Sequence, residues 1–128
     1  MSVTHSTTFR TATADAVTSA LGTTAKLKFR LTGTVGSPGA AAATLACSNP
    51  VGAGATAGVL TFSSITSDTN AAGNASPVAT ATLETGAGTV VVHCAVAASA
   101  SDINLSGLLT IGAGDTVACS ALTYTAMP

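Results

Sequence analysis

The stretch Ala25–Leu31, AKLKFRL, decides how the fold is read. Leu27, Phe29 and Leu31 alternate with Lys26, Lys28 and Arg30. An extended backbone therefore sends the apolar set to one face and the cations to the other, the pattern of a half-buried strand. These three cations are three of the four Lys and Arg residues in the chain, and Phe29 is one of four aromatic residues. The apolar face predicts a place in the core. The basic face predicts exposure to water or to an anionic partner, and as a row of like charges it also suits an edge or outer strand, where it deters unwanted sheet pairing.

Working outward, the chain length of 128 residues suits one domain, read here as residues 1–128, with 1–7 as a polar N-terminal arm. Hydrophobic residues make up 47% and charged residues only 7%, against a usual charged share of about 25%. Charge keeps soluble monomers apart, so this balance predicts a subunit largely covered by neighbours. The formal net charge of −1 gives no field for nucleic acid, which is not expected as a partner. The opening MSVTHSTTFR lacks the apolar core of a signal peptide, and no window approaches the ~18 apolar residues of a membrane span, so no membrane partner is expected. Cys47, Cys94 and Cys119 are odd in number and without CxxC spacing. They read as reduced thiols packed like small hydrophobes.

From Thr8 to Leu21 the sequence predicts a short helix with Thr7 or Thr8 as N-cap, Gly22 closing its end, and an apolar stripe of Phe9, Ala16, Val17 and Ala20 flanked by Ala12 and Leu21. Strands are predicted over Ala40–Cys47, Gly58–Ile65, Pro77–Glu84, Thr89–Ala97, Ile103–Leu105, Leu108–Ile111 and Thr116–Thr125, separated by Gly-, Pro- and Asn-rich turns. The clearest hairpin joins Pro77–Glu84 to Thr89–Ala97 through the turn TGAG. Its second strand, TVVVHCAVA, is apolar almost throughout, as a strand covered on both sides would be; a second sheet or a subunit contact would supply that cover. The predicted fold class is mainly β: an antiparallel β-sandwich of about seven or eight short strands with one short N-terminal α-helix.

Chemistry is hard to place on this chain. His93 and Cys94 are adjacent, but neighbours on a strand point to opposite faces. No His/Cys/Asp set has metal-ligand spacing, and no glycine-rich segment ends in the Lys-Ser/Thr of a phosphate loop. Asp68, Asp102 and Asp115 sit in turn-like sequence, where aspartate caps local backbone, while Asp15 and Glu84 read as surface charges. No catalytic residue, metal or cofactor is assigned, and an enzyme is not expected.

The order of motifs resembles small structural proteins of tailed bacteriophages: a polar start and short helix (TFRTATADAVTSALG), a KLKFRLTGT strand, a central AGVLTFSSITSDT and a closing SDINLSGLLTIGAGDTVACSALTYT. The resemblance runs over most of the chain, and its motifs are structural. It implies a virion protein made in the host cytoplasm, of the capsid decoration (cement) kind, which sits on the outer face of the head and bridges capsomers. Its implied partners are the major capsid protein and copies of itself, as a dimer or trimer. On this reading Lys26, Lys28, Arg30, the N-terminal arm and Phe9 face the shell or a neighbour. The alternative is a tail, collar or fibre component that binds a host-surface glycan; such sites present exposed aromatics, and Phe9, Phe29, Phe62 and Tyr124 all lie in core-like patterns.

Overall fold

The computed structural model describes residues 3–105 and 109–127. The chain is mainly β with one N-terminal helix, in the order α1 (Thr7–Leu21), β1 (Lys26–Arg30), β2 (Ala41–Ala46), β3 (Val59–Thr61), β4 (Thr80–Glu84), β5 (Val90–Ala97), β6 (Ile103–Asn104) and β7 (Thr123–Thr125). Five strands form one sheet in the order β2-β1-β4-β5-β6, and β3 pairs with β7 in a separate ladder. The sheet is curled and mixed, because β6 runs parallel to β5 while the other pairs are antiparallel.

The opening stretch forms β1 as its alternation requires, but not at an edge. It lies second in the sheet, flanked by β2 and β4. Leu27 and Phe29 face Leu83 and Ala81 of β4 and Leu45 and Ala43 of β2, and all six are buried. Val17 and Leu21 of α1, Leu60 of β3, Phe62, Ile111 and Val117 belong to the same cluster of buried residues. Burying a side chain of the size of Phe29 contributes roughly 1.5–3 kcal/mol.

The β4–β5 hairpin forms as predicted. Thr85 donates from its N to Thr89 O and accepts from Gly88 N, both at 2.9 Å, and a bulge follows where Glu84 pairs with Val90 and Leu83 with Val92. Gly86 sits at a close approach: a Cβ there would lie 1.9 Å from Thr24 Oγ1.

Helix α1 is capped one residue earlier than expected: Ser6 Oγ, not Thr7 or Thr8, accepts from Phe9 N at 3.2 Å. Gly22, at φ +74°, closes the helix through its N–H to Thr18 O. The helix is also rotated from the predicted stripe. Ala14, Val17 and Leu21 are buried, while Ala12, Ala16 and Ala20 are exposed and Phe9 is 55% exposed. Polar anchors explain the rotation. Thr11 Oγ1 accepts from Gly58 N at 3.1 Å, Asp15 Oδ1 accepts from Ala55 N at 2.7 Å, and the Arg10 guanidinium donates to Ala126 O. These bonds turn the side of the helix carrying Arg10, Thr11 and Asp15 toward the chain.

Several long predicted strands are broken. Gly58–Ile65 keeps only β3: Phe62 N still donates to Leu122 O, one step on in the β7 register, but Phe62 also bridges to Gly52 and Ser63 N donates to Val51 O, which draws the chain to a different segment. Thr116–Thr125 divides into an isolated bridge between Val117 and Asp68, and β7. Of Leu108–Ile111, Leu108 lies outside the described residues, and 109–111 join no named strand; Leu109 O and Ile111 O accept instead from Val78 N and Asn74 N. The segment 66–77 protects the β2 edge of the sheet. Thr66 N donates to Ala46 O, Asp68 Oδ2 accepts from Thr44 N, and Gly73 N donates to Ala42 O. Backbone groups at that edge are thereby satisfied within the chain.

Candidate functional site: the polar face of the sheet

The side of β1 away from the core carries Lys26, Lys28 and Arg30 opposite Glu84, Thr82 and Thr80 of β4 in register. Glu84 is the centre of this face. Arg30 Nη2 donates to Glu84 Oε2 at 2.5 Å, Lys28 Nζ lies 3.4 Å from Oε1, and Thr82 Oγ1 also donates to Oε2. Arg30 completes its fork through Nε to Thr82 Oγ1 at 3.0 Å and through Nη1 to Gly39 O.

Two expectations are corrected by this geometry. Glu84 is no surface charge: its side chain is 1% exposed. Arg30 does not look at water, because its side chain is 8% exposed and its guanidinium is engaged by Glu84, Thr82 and Gly39. Lys28 keeps 26% exposure but is committed to Glu84, and Lys26 is half-buried with no ion pair within 4 Å among the described residues. The physical reason is desolvation. A carboxylate on the sheet surface beneath two long cationic side chains is covered by their alkyl stems, and the ions then satisfy one another. Burial pushes the Glu84 carboxyl up, but hydrogen bonds from Thr82 and Arg30 and the charges of Lys28 and Arg30 outweigh it and hold the group below the ordinary carboxylate range.

The four aspartates are tied to backbone as well. Asp68 accepts from Asn70 N and Thr44 N, Asp115 from Gly112 N at 2.8 Å, Asp102 from Ala95 N at 2.9 Å, and Asp15 from Ala55 N. The turn-capping role expected of Asp68 and Asp115 is therefore seen. Asp102 instead braces a strand, and Asp15, exposed as a surface charge is expected to be, also joins the helix to a distant loop.

His93 stands opposite Thr82 and Cys94 opposite Ala81, on the two faces of β5 as the alternation predicts. His93 Nε2 is buried without a hydrogen-bond partner among the described residues. Cys94 Sγ donates to Ala81 O at 3.4 Å, and burial, then the negative charge of Asp102, pushes its thiol up to about 11. Burial also raises the Cys47 and Cys119 thiols. Because the thiolate is the reactive form, Cys94 in the native protein should alkylate at pH 8 about 10²-fold more slowly than a free thiol, with a rate climbing about tenfold per pH unit up to pH 10. Mass-spectrometric labelling against pH checks this; a rate that levels off by pH 9 contradicts it.

Under the C-terminal segment, on the core side of the sheet, lies a cleft of about 760 Å³ floored by Phe29 and lined in part by Asn104, Leu122, Asp102 and Asp115. Both of its carboxylates are already bonded to backbone. Among the described residues no group of three His, Cys, Asp or Glu side chains could hold a metal ion, and no helix is long and apolar enough to cross a membrane.

Phe9, the fourth partner-facing candidate, lies apart from the cations at the start of α1, exposed and stacked at a tilt on His5 with ring centroids 5.1 Å apart. The structure thus brings Lys26, Lys28 and Arg30 together and leaves Phe9 on a separate surface. Sequence reasoning missed Glu84, whose signal is its register with Lys26 once the hairpin and β1 are placed in one sheet. The architecture defines a mainly β domain with a helix across one side and a polar outer sheet face. No protein-family model, characterised protein or solved structure matches this chain.

Proposed function

We propose that this chain is a structural subunit of a tailed-phage particle, a decoration protein that docks on the outer face of the head shell through the polar face of its sheet. The observation that carries this reading is the charge balance of that face: three cations, Lys26, Lys28 and Arg30, stand over one carboxylate, Glu84. The surplus is positive on a chain whose net charge is −1, so the face is matched to an acidic patch on a partner protein, where charge sets register and approach. Many weak copies then stabilise a shell together, because each contact exists only in the assembled particle. The order of motifs described above supports the phage setting, and an antiparallel sandwich, in which β3 and β7 stand for a second layer over the sheet, is the finer form of the fold that accompanies it.

Glu84 changes which residue tests the reading. A glutamate at either Lys28 or Lys26, which stands directly opposite Glu84, would set a second carboxylate beside a buried one and threaten the fold, so the informative substitution is the neutral Lys26→Gln, at the cation without an ion pair. On purified expanded heads, occupancy of the Lys26→Gln variant should fall by about fivefold, the size of an interaction of ~1 kcal/mol. Wild-type occupancy should fall as salt is raised from 50 to about 500 mM. Co-sedimentation followed by gel densitometry measures both, and unchanged occupancy in the two experiments removes the polar face from the docking surface. The glycan-binding reading draws on the cleft over Phe29, whose mixed polar and apolar lining is of ligand size; retention on a glycan array in place of heads would favour it.

A further inference from the structure

Strand β5 is built as if covered along its whole length, and the fold covers only part of it. Val90, Val91 and Val92 lead into His93 with no charged residue, yet all four are only half-buried. On the side away from β4, β6 pairs with Val96 and Ala97 alone, Asp102 takes Ala95 N, and Leu105 N donates to Ala97 O. Among the described residues no segment pairs with Val90–His93 on that side. The opposite edge of the sheet is treated differently: Thr66, Asp68 and Gly73 of the same chain bond to β2. An edge left open beside a run of valines is a template for another strand.

We propose that Val90–His93 pairs antiparallel with the same segment of a second copy of this chain, joining two five-stranded sheets across a two-fold axis. The second copy fits for a reason of charge. In a two-fold pair the segment meets itself, so a charged side chain would stand close to its own sign, and this segment has none. The two-fold stands perpendicular to the sheet and keeps each α1 on the same side of the joined sheet. Helix α1 packs on β5 as well as β3, and its outward Phe9, Ala16 and Ala20 add uncharged surface from each copy to that side. This matters because a four-residue edge alone falls short of the ~1,200 Å² of a specific interface. The inference deepens the assembly reading and rests on it for what the dimer serves.

The test uses the full chain. Sedimentation equilibrium should show a monomer–dimer equilibrium, and hydrogen exchange at concentrations above and below its midpoint should show the amides of residues 90–93 protected only at the higher one. Val90→Lys, at a valine that does not pack on the core cluster as Val91 and Val92 do, should raise the dissociation constant at least tenfold with an unchanged circular dichroism spectrum. Thr44→Lys on the covered β2 edge should leave it unchanged. A wild-type monomer at all concentrations, or a dimer in which residues 90–93 exchange freely, overturns the proposal. Protection of 90–93 gained only on purified heads also overturns it, in favour of a shell strand as occupant. A monomer that still binds heads sinks the β5 pairing and leaves shell docking standing; a dimer that ignores heads does the reverse.

Discussion

Replacing Glu84 by glutamine is expected to destabilise the fold by about 3–5 kcal/mol, the cost of leaving a buried cation without its counter-ion. Arg30 has no route to water that keeps its bonds to Thr82 and Gly39, and its side chain is 8% exposed. Lys28, at 26% exposure, can turn outward and adds little to the loss. For a domain of this size the change corresponds to a fall in melting temperature on the order of 10–20 °C, out of a total stability of roughly 5–15 kcal/mol. Pairing the substitution with Arg30→Met should recover part of the loss, since a buried ion pair exchanged for apolar groups is often neutral. Urea unfolding of the two single variants and the double variant measures the coupling; a Glu84→Gln protein as stable as wild type would show that the carboxylate is not needed where it lies.

The same group sets an acid limit. The folded carboxyl of Glu84 is held below its unfolded value, which is about 4.3. Its contribution is therefore complete above roughly pH 5 and is lost as the pH falls through the folded value, where the native state must take up the proton it had refused. Wild-type stability should decline below pH 5 more steeply than that of Glu84→Gln, which has no such proton to bind.

The second large effect is expected at Phe29. Its ring is 2% exposed, packs with Leu27, Leu45 and Leu83, and forms the floor of the cleft. Phe29→Ala removes the largest fully buried side chain of the sheet and should cost about 3–5 kcal/mol. The space left would open into the cleft instead of forming a closed void, so the variant should also bind more of a hydrophobic dye such as ANS in native conditions. Thermal unfolding and dye fluorescence together decide this; a loss under 1 kcal/mol would mean that the C-terminal segment collapses onto the vacancy.

What could be read from the residues, and what could not, divides by distance along the chain. Alternation in 26-KLKFR-30 and the turn TGAG gave β1 and the β4–β5 hairpin, because the deciding contacts lie within a few residues. Capping by Gly22 was legible for the same reason. The fate of the cations was not: the carboxylate that takes Lys28 and Arg30 lies 54 positions after Arg30, and nothing near Glu84 marks it as buried. Helix α1 was misoriented because its Ala-rich surface offers more than one apolar stripe, and the choice falls to Thr11 and Asp15 bonding a loop 47 and 40 residues on. The apolar run of β5 predicted a strand covered on both sides; the strand forms, but within this chain only Val96 of it is buried, because β6 is too short to run alongside the rest.

Strand β3 has consequences for how the protein is made. Its ladder partner is β7, and Ala126 N closes the same region onto Gly58 O. A ribosome releases 59–61 long before 123–125, so during translation Leu60 and its neighbours wait with their hydrogen-bonding edge unmatched while the β4–β5 hairpin can already form. Such late closure of a distant pair slows maturation and exposes nascent chains to one another. Trimming the last few residues should therefore harm yield far more than their small contribution to the core would imply.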